Sequence, residues 1–265
     1  MHLADFFALH PVFSLADAEK ALTPPKGRMG LGNRMRHHLK QGRLKLVANG
    51  VYAVVPPGAS PQRFLPDPFL VAVAVRSDAV FSHHSALELL GAAHSTWNQC
   101  TCYTAHRRRP LLLSGATLRF LDPPTPLKAG AWATLGIRQA QRQGRLLHVT
   151  GPERTLVEGF HRQALAGGLE ELVLSASGFP TMDLDLLEEI LRLYDVRNLW
   201  AATGWFLERF SETFHVQDAA LCRFALQRPR APHYLERSRR GGTFAPRWNL
   251  VLPIVLGNRG EPNEP

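Results

Sequence analysis

The chain has 265 residues, 45% hydrophobic and 20% charged, a globular composition that excludes disorder, collagen and coiled coil as whole-chain readings. Thirty-one Lys and Arg stand against 22 Asp and Glu, a formal net charge of +9 that raises the prospect of an anionic partner. No apolar run approaches the roughly 18 to 20 residues that span a bilayer, no secretory signal is visible, and three cysteines make neither a disulfide framework nor a two-pair zinc motif, so a reducing cytoplasm is expected.

Leu3, Phe6 and Phe7 have helical spacing. Ser14 and Asp17 match a capping box, which starts a second helix that buries Leu15, Ala18 and Leu22. Thr23-Pro24-Pro25-Lys26-Gly27 breaks it. A third helix is expected from about Leu31 to Gln41, stopped by Gly42. Leu31, Met35 and Leu39 form its inward stripe, Asn33, His37 and Lys40 its opposite face, and Arg34 and Arg36 its flanks. Two β-prone runs from Leu44 to Val54 then flank Asn49-Gly50, the signal of a type I′ hairpin. Three short helices and a hairpin predict a winged helix-turn-helix over residues 1–55, whose third helix can enter the major groove. Proline density marks residues 56–68 as a linker.

Charge sharpens that reading. No acidic residue occurs between Glu19 and Asp67, an interval that holds Lys20, Lys26, Arg28, Arg34, Arg36, Lys40, Arg43, Lys45 and Arg63. Carboxylates beside phosphate would be repelled, so their exclusion points to double-stranded DNA. Asn33, Arg34, Arg36, His37 and Lys40 are expected to face the major groove, with Arg28 near the phosphates at the start of the helix. Arg43, Lys45 and Asn49 are expected to touch the backbone from the wing. The alternative for the same pattern is a protein-interaction module without sequence-specific DNA binding; promoter binding separates the two.

Residues 69–257 predict a second, mixed α/β domain with a helical second half, which makes the whole chain α+β. Helices are expected at 69–75 and 82–90, and strands at 100–105, 117–121, 134–139 and 146–150. From Pro152 the pattern is helical for about 75 residues, with stripes such as Leu169, Leu172, Val173 and Ala176. A last strand is read at 247–253, before a polar tail, 258–265.

No catalytic constellation emerges. Asp183 and Asp185 could share a metal, but the Gly-Ser turn that nucleotidyl transfer wants upstream is missing, and Asp183 reads better as a helix cap. Cys100 and Cys102 alternate as on one strand, which disfavours a nucleophile paired with His106. His83 and His84 diverge by about 100° on a helix, awkward for joint metal ligation with His94, so Ser82–Gly91 is assigned to capping and packing. No phosphate loop is present, and no metal or cofactor is expected. Two basic clusters, Arg107, Arg108 and Arg109 and then Arg237, Arg239 and Arg240, could add nucleic-acid contacts.

Several segments together carry a family resemblance. They are Gln41-Gly42-Arg43-Leu44, Gly50-Val51-Tyr52-Ala53-Val54, Ser82-His83-His84-Ser85-Ala86-Leu87-Glu88-Leu89-Leu90-Gly91, Pro152-Glu153-Arg154-Thr155-Leu156-Val157, Gly167-Gly168-Leu169-Glu170-Glu171 and Arg247-Trp248-Asn249-Leu250. In order and spacing, over nearly the whole chain, the sequence resembles the AbiEi antitoxins, the transcriptional-regulator half of type IV toxin–antitoxin systems. The resemblance implies an N-terminal winged helix that represses its own operon at inverted repeats. It also implies a C-terminal domain that supports neutralisation of an AbiEii toxin of nucleotidyltransferase type, without a stable complex. The sequence departs from the family pattern at Gly151, where Ser is usual, at Glu158, where Asp is commoner, and in a longer loop Thr23–Gly30.

Overall fold

Helix-forming and strand-forming patterns alternate along the chain, and a computed structural model resolves them into a mixed α+β protein with eleven α-helices and three sheets among the described residues. The structure describes residues 2–22, 27–106, 109–128, 130–236 and 242–257, the side chains of 27–29 and 131–132 excepted. The N-terminal elements are α1 (Leu3–Leu9), β1 (Val12–Ser14), α2 (Leu15–Ala21), α3 (Gly27–Lys40), β2 (Leu44–Ala48), β3 (Val51–Val54) and α4 (Pro68–Val75). There follow β4 (Val80–Phe81), α5 (His84–Leu89), β5 (Gln99–Tyr103), β6 (Leu111–Leu113), β7 (Ala116–Leu121), β8 (Ile137–Arg142) and β9 (Arg145–Thr150). The last are α6 (Pro152–His161), α7 (Leu169–Ser177), α8 (Leu184–Tyr194), α9 (Arg197–Arg209), α10 (Asp218–Leu226), β10 (His233–Tyr234), β11 (Gly242–Ala245), β12 (Leu250–Pro253) and α11 (Ile254–Gly257).

Packing divides the chain into two units, the first of residues 1–80, 98–122 and 139–148, the second of 81–97, 123–138 and 149–265. Within the first, Phe6, Phe13, Ala18, Leu22, Leu31, Met35 and Leu44 form a small core under α1, α2 and α3. The Ser14 hydroxyl accepts from Asp17 N at 3.1 Å and the Asp17 carboxylate accepts from Ser14 N at 2.9 Å, the capping box that starts α2. Strand β1 pairs antiparallel with β3, which pairs antiparallel with β2. Asp67 caps α4 by accepting from Phe69 N and Leu70 N, and its second oxygen accepts from Arg142 Nε at 2.7 Å.

The division differs from the boundary read at 56–68, because α4 packs on β1 and β3 and residues 56–64, though irregular, are held by hydrogen bonds. Strand β5 is buried on both faces, pairing parallel with β7, which pairs antiparallel with β6. The hairpin of β8 and β9 turns on Gln143 and Gly144, both with positive φ. The strand expected at 134–139 falls instead at 137–142, after a 3-10 turn at Gly130–Thr134.

In the second unit, one apolar core gathers α5 to α10 around Leu156, Leu172, Leu187, Ile190, Phe206 and Phe224, with Trp248 and Leu250 beneath the final sheet. That sheet runs β10-β12-β11, with β10 parallel and β11 antiparallel to β12. No helix among the described residues is long and apolar enough to cross a membrane.

Candidate nucleic-acid interface

Helix α3 is set by its inward stripe. Leu31 and Met35 are fully buried, Leu39 packs against the same core, and Phe7 of α1 meets His38 edge-on at 5.2 Å. The rotation this imposes leaves Asn33, Arg36, His37 and Lys40 exposed and Arg34 half-buried. Arg36 Nη1 donates to Asn33 Oδ1 at 3.2 Å, which aligns two polar groups one turn apart. Among the described residues, no carboxylate pairs with Arg34, Arg36, Lys40 or Arg43. The surplus positive charge reaches the helix itself: burial lowers the His38 pKa, and Arg43, His37 and Arg34 push it the same way.

Two expectations for this helix are corrected. It begins at Gly27 rather than near Leu31, so Gly27–Gly30 form its first turn and not a loop. A glycine is permissive rather than excluded in a first turn, and the core fixed by Leu31 and Met35 supports the extension. Arg28 therefore lies on α3, with its side chain outside the described set.

The hairpin also differs from expectation. Gly50 has φ +72°, but Asn49 is not among the described residues with positive φ, and the register shifts between Leu46 and Ala48. The turn is bulged rather than type I′. Its cause is β1, a strand the periodicity did not show: the ladder runs past Ser14, and Leu15 N donates to Gly50 O at 2.8 Å, tying the turn to the start of α2. Asn49 and Arg43 are exposed. Lys45 is not available as expected, because its ammonium donates to Phe64 O at 2.6 Å and to Gln62 O at 3.5 Å. Those two bonds instead bring Arg63 alongside β2, where it is exposed. Its membership of the acid-free interval was the only signal for it.

Of the two basic clusters, Arg109 is exposed, whereas Arg107, Arg108, Arg237, Arg239 and Arg240 lie outside the described residues. No group of three metal-ligating side chains occurs among the described residues. Asp183 Oδ1 accepts from Asp185 N and Leu186 N, as a cap should. Burial pushes the Cys102 thiol up to about 12, far from thiolate chemistry at neutral pH. The capping role for Ser82 is corrected. His83 stands at the start of α5 with φ +55° and ψ −131°, no side chain caps the helix, and the Ser82 hydroxyl meets His83 Nδ1 at 3.0 Å instead.

The remaining motif residues build a buried polar frame in the second unit. Glu153, fully buried, takes Arg138 Nη2 on both oxygens at 3.1 Å and accepts from Asp183 N at 2.9 Å. A Cβ at residue 151 would stand 2.8 Å from Arg138 Nε, so Gly151 lets that guanidinium through. Arg154, also buried, donates from Nε to Glu158 at 2.7 Å and from Nη1 to Leu135 O at 2.9 Å. Glu158 accepts from the Tyr194 hydroxyl as well, and burial raises the pKa of that phenol. Glu171 accepts from His94 N, Ser95 N and the Ser175 hydroxyl, holding the 94–97 segment. Trp248 Nε1 donates to Glu208, which Arg247 also meets at 3.0 Å. These groups fasten helices and turns to one another.

No protein-family model and no curated protein matches the sequence. Among solved structures, the chain is similar to the crystal structure of the Rv2827c protein from Mycobacterium tuberculosis, with a TM-score of 0.62 at 17% identity. The match covers 96% of this chain and 91% of that one, so the likeness of fold extends over both units.

Proposed function

We propose that this chain is a duplex-DNA-binding transcriptional repressor of the AbiEi antitoxin kind. In this reading it represses its own operon at inverted repeats and counters an AbiEii-type nucleotidyltransferase toxin without a stable complex. The observation that carries the DNA-binding reading is the outward face of α3: Asn33, Arg36, His37 and Lys40 exposed, Arg34 at the flank, and no carboxylate paired with any of its cations among the described residues. The element order α1-β1-α2-α3-β2-β3, with β1 in a three-stranded sheet beside β3, fits a winged helix-turn-helix and supports the same reading. The major groove admits a helix, and Asn33 and His37 at its exposed positions can address base edges while Arg34, Arg36, Lys40, Arg43 and Arg63 address phosphates. Asn49 at the bulged turn adds a neutral backbone contact.

The test is binding of the full chain to DNA from upstream of its own gene, titrated against salt beside a scrambled duplex of equal length. With about five phosphates neutralised, log K should fall with log salt at a slope near −4.5. Binding should prefer the native duplex and vanish in the triple variant Arg34→Ala, Arg36→Ala, Lys40→Ala. Equal weak binding to both duplexes would return the N-terminal elements to the protein-interaction alternative. Rescue of growth from a co-expressed AbiEii-type toxin tests the antitoxin half separately.

A further inference from the structure

The final sheet carries a surface that the duplex-binding reading does not use. Tyr234 of β10 and Phe244 of β11 both stand opposite Val251 of β12, so the three side chains form one row on one face. The flanking Leu250 and Leu252 point the other way and are buried, which leaves the row as the outer face. Tyr234 is 40% exposed and Phe244 46%. Neighbouring strands lie roughly 4.8 Å apart, so the two rings sit about 10 Å from one another across the valine. Both strands that bear the rings are edges of the sheet, and Ile254 and Val255, just beyond β12, are exposed as well.

Charge selects the occupant. Between Asp218 and Glu261 the sequence holds eight arginines and one acid, Glu236. Of the four described, Arg223 pairs with Glu188, and Arg247 with Glu208 and Asp218. Arg230, just before β10, is exposed. Two half-exposed aromatic rings in one row, within the most basic stretch of the second unit, suit a polyanion with flat apolar faces. A protein partner would be served by the apolar row alone and gains nothing from the arginine excess unless it is acidic; a duplex hides the faces of its bases. We infer that the β10-β12-β11 face binds single-stranded nucleic acid, with Tyr234 and Phe244 as stacking platforms for unpaired bases. The stacking row of Tyr234, Val251 and Phe244 consists of described residues and is separate from the α3 face in sequence and in chemistry.

The experiment uses the full chain and fluorescently labelled oligo-uridine and oligo-thymidine of about 15 nucleotides, read by anisotropy across a salt series. Binding is expected with a clear salt dependence, weakened roughly tenfold or more by Tyr234→Ala or Phe244→Ala and retained in Tyr234→Phe. The α3 triple variant should keep this binding while losing the duplex, so the two proposals fail independently. Because both rings lie at the surface, an unchanged melting temperature shows that the alanine variants fold. No binding of either oligonucleotide, or equal binding by wild type and the doubly substituted chain, would overturn the inference. So would concentration-dependent self-association that disappears in the doubly substituted chain without any oligonucleotide binding, which would make the row a face between copies.

Discussion

Two residues in the second unit show packing overriding local preference. Gly204 lies inside α9, where alanine would raise helix propensity by about 1 kcal/mol. A Cβ there would stand 2.0 Å from Trp248 Cζ3, and that indole is fully buried and held through Nε1 by Glu208. The ring cannot retreat, so Gly204→Ala should destabilise by about 1–3 kcal/mol, visible as a lower denaturant midpoint; a rise in the midpoint would mean that propensity decides. His83 is the other case. Its φ of +55° is a backbone state that glycine prefers, at a cost of about 1–3 kcal/mol. Burial, with Arg162, His161 and Arg154 adding in the same direction, lowers its pKa to about 3. The unfolded chain takes up a proton near pH 6.5 while the folded ring stays neutral, so this contribution to stability is complete above that pH and lost as pH falls toward 3. Melting temperature should therefore drop between pH 6.5 and 4.5, before most carboxylates titrate, and drop less in His83→Asn. Parallel pH profiles for the two chains would show that the ring titrates freely.

At the scale of elements, long amphipathic helices were legible because burial of one face writes a 3.6-residue period into the sequence. The stripes of α3, α7, α8 and α9 fall on residues that are buried or pack against the cores. Short strands were not legible: β1 has three residues, Val12, Phe13 and Ser14, and its identity comes from pairing with β3 some forty residues later. The same pairing bulges the turn at Asn49-Gly50, while the doubly positive φ of a type I′ turn occurs at Gln143-Gly144, where glutamine gives no warning. In the candidate site the exposed face of α3 was readable from period and charge. The fate of Lys45 was not, because its partners are backbone carbonyls 17 and 19 residues away. That difference has a measurable consequence. Arg36→Gln should reduce the magnitude of the salt slope for operator binding by about one, and Lys45→Gln should leave it unchanged. Lys45→Gln should instead speed proteolysis within residues 60–64, whose anchor it removes. A reduced slope in the Lys45 variant would show that the ammonium leaves those carbonyls for phosphate when DNA binds.

Across the whole molecule, charge is sorted by task. Twelve of the 22 acids lie between Glu153 and Asp218, and none lies between Glu19 and Asp67. Three carboxylates of the acid-bearing stretch are buried and meet arginines at close range: Glu158 with Arg154, Glu153 with Arg138, and Glu188 with Arg192 and Arg223. In the acid-free stretch Arg34, Arg36 and Lys40 meet none among the described residues. Salt screens exposed, unpaired charge far more than buried pairs, so one variable should separate the two populations. Raising salt from about 0.1 M to about 0.5 M should weaken operator binding about a thousandfold, given a slope near −4.5. Over the same range the thermal midpoint should move by only a few degrees, because an apolar core holds each unit and the Arg154–Glu158 pair is buried. A large fall in the midpoint would show that the guanidinium–carboxylate frame of the second unit is open to solvent, and that the loss of binding reflects unfolding rather than release of phosphate contacts.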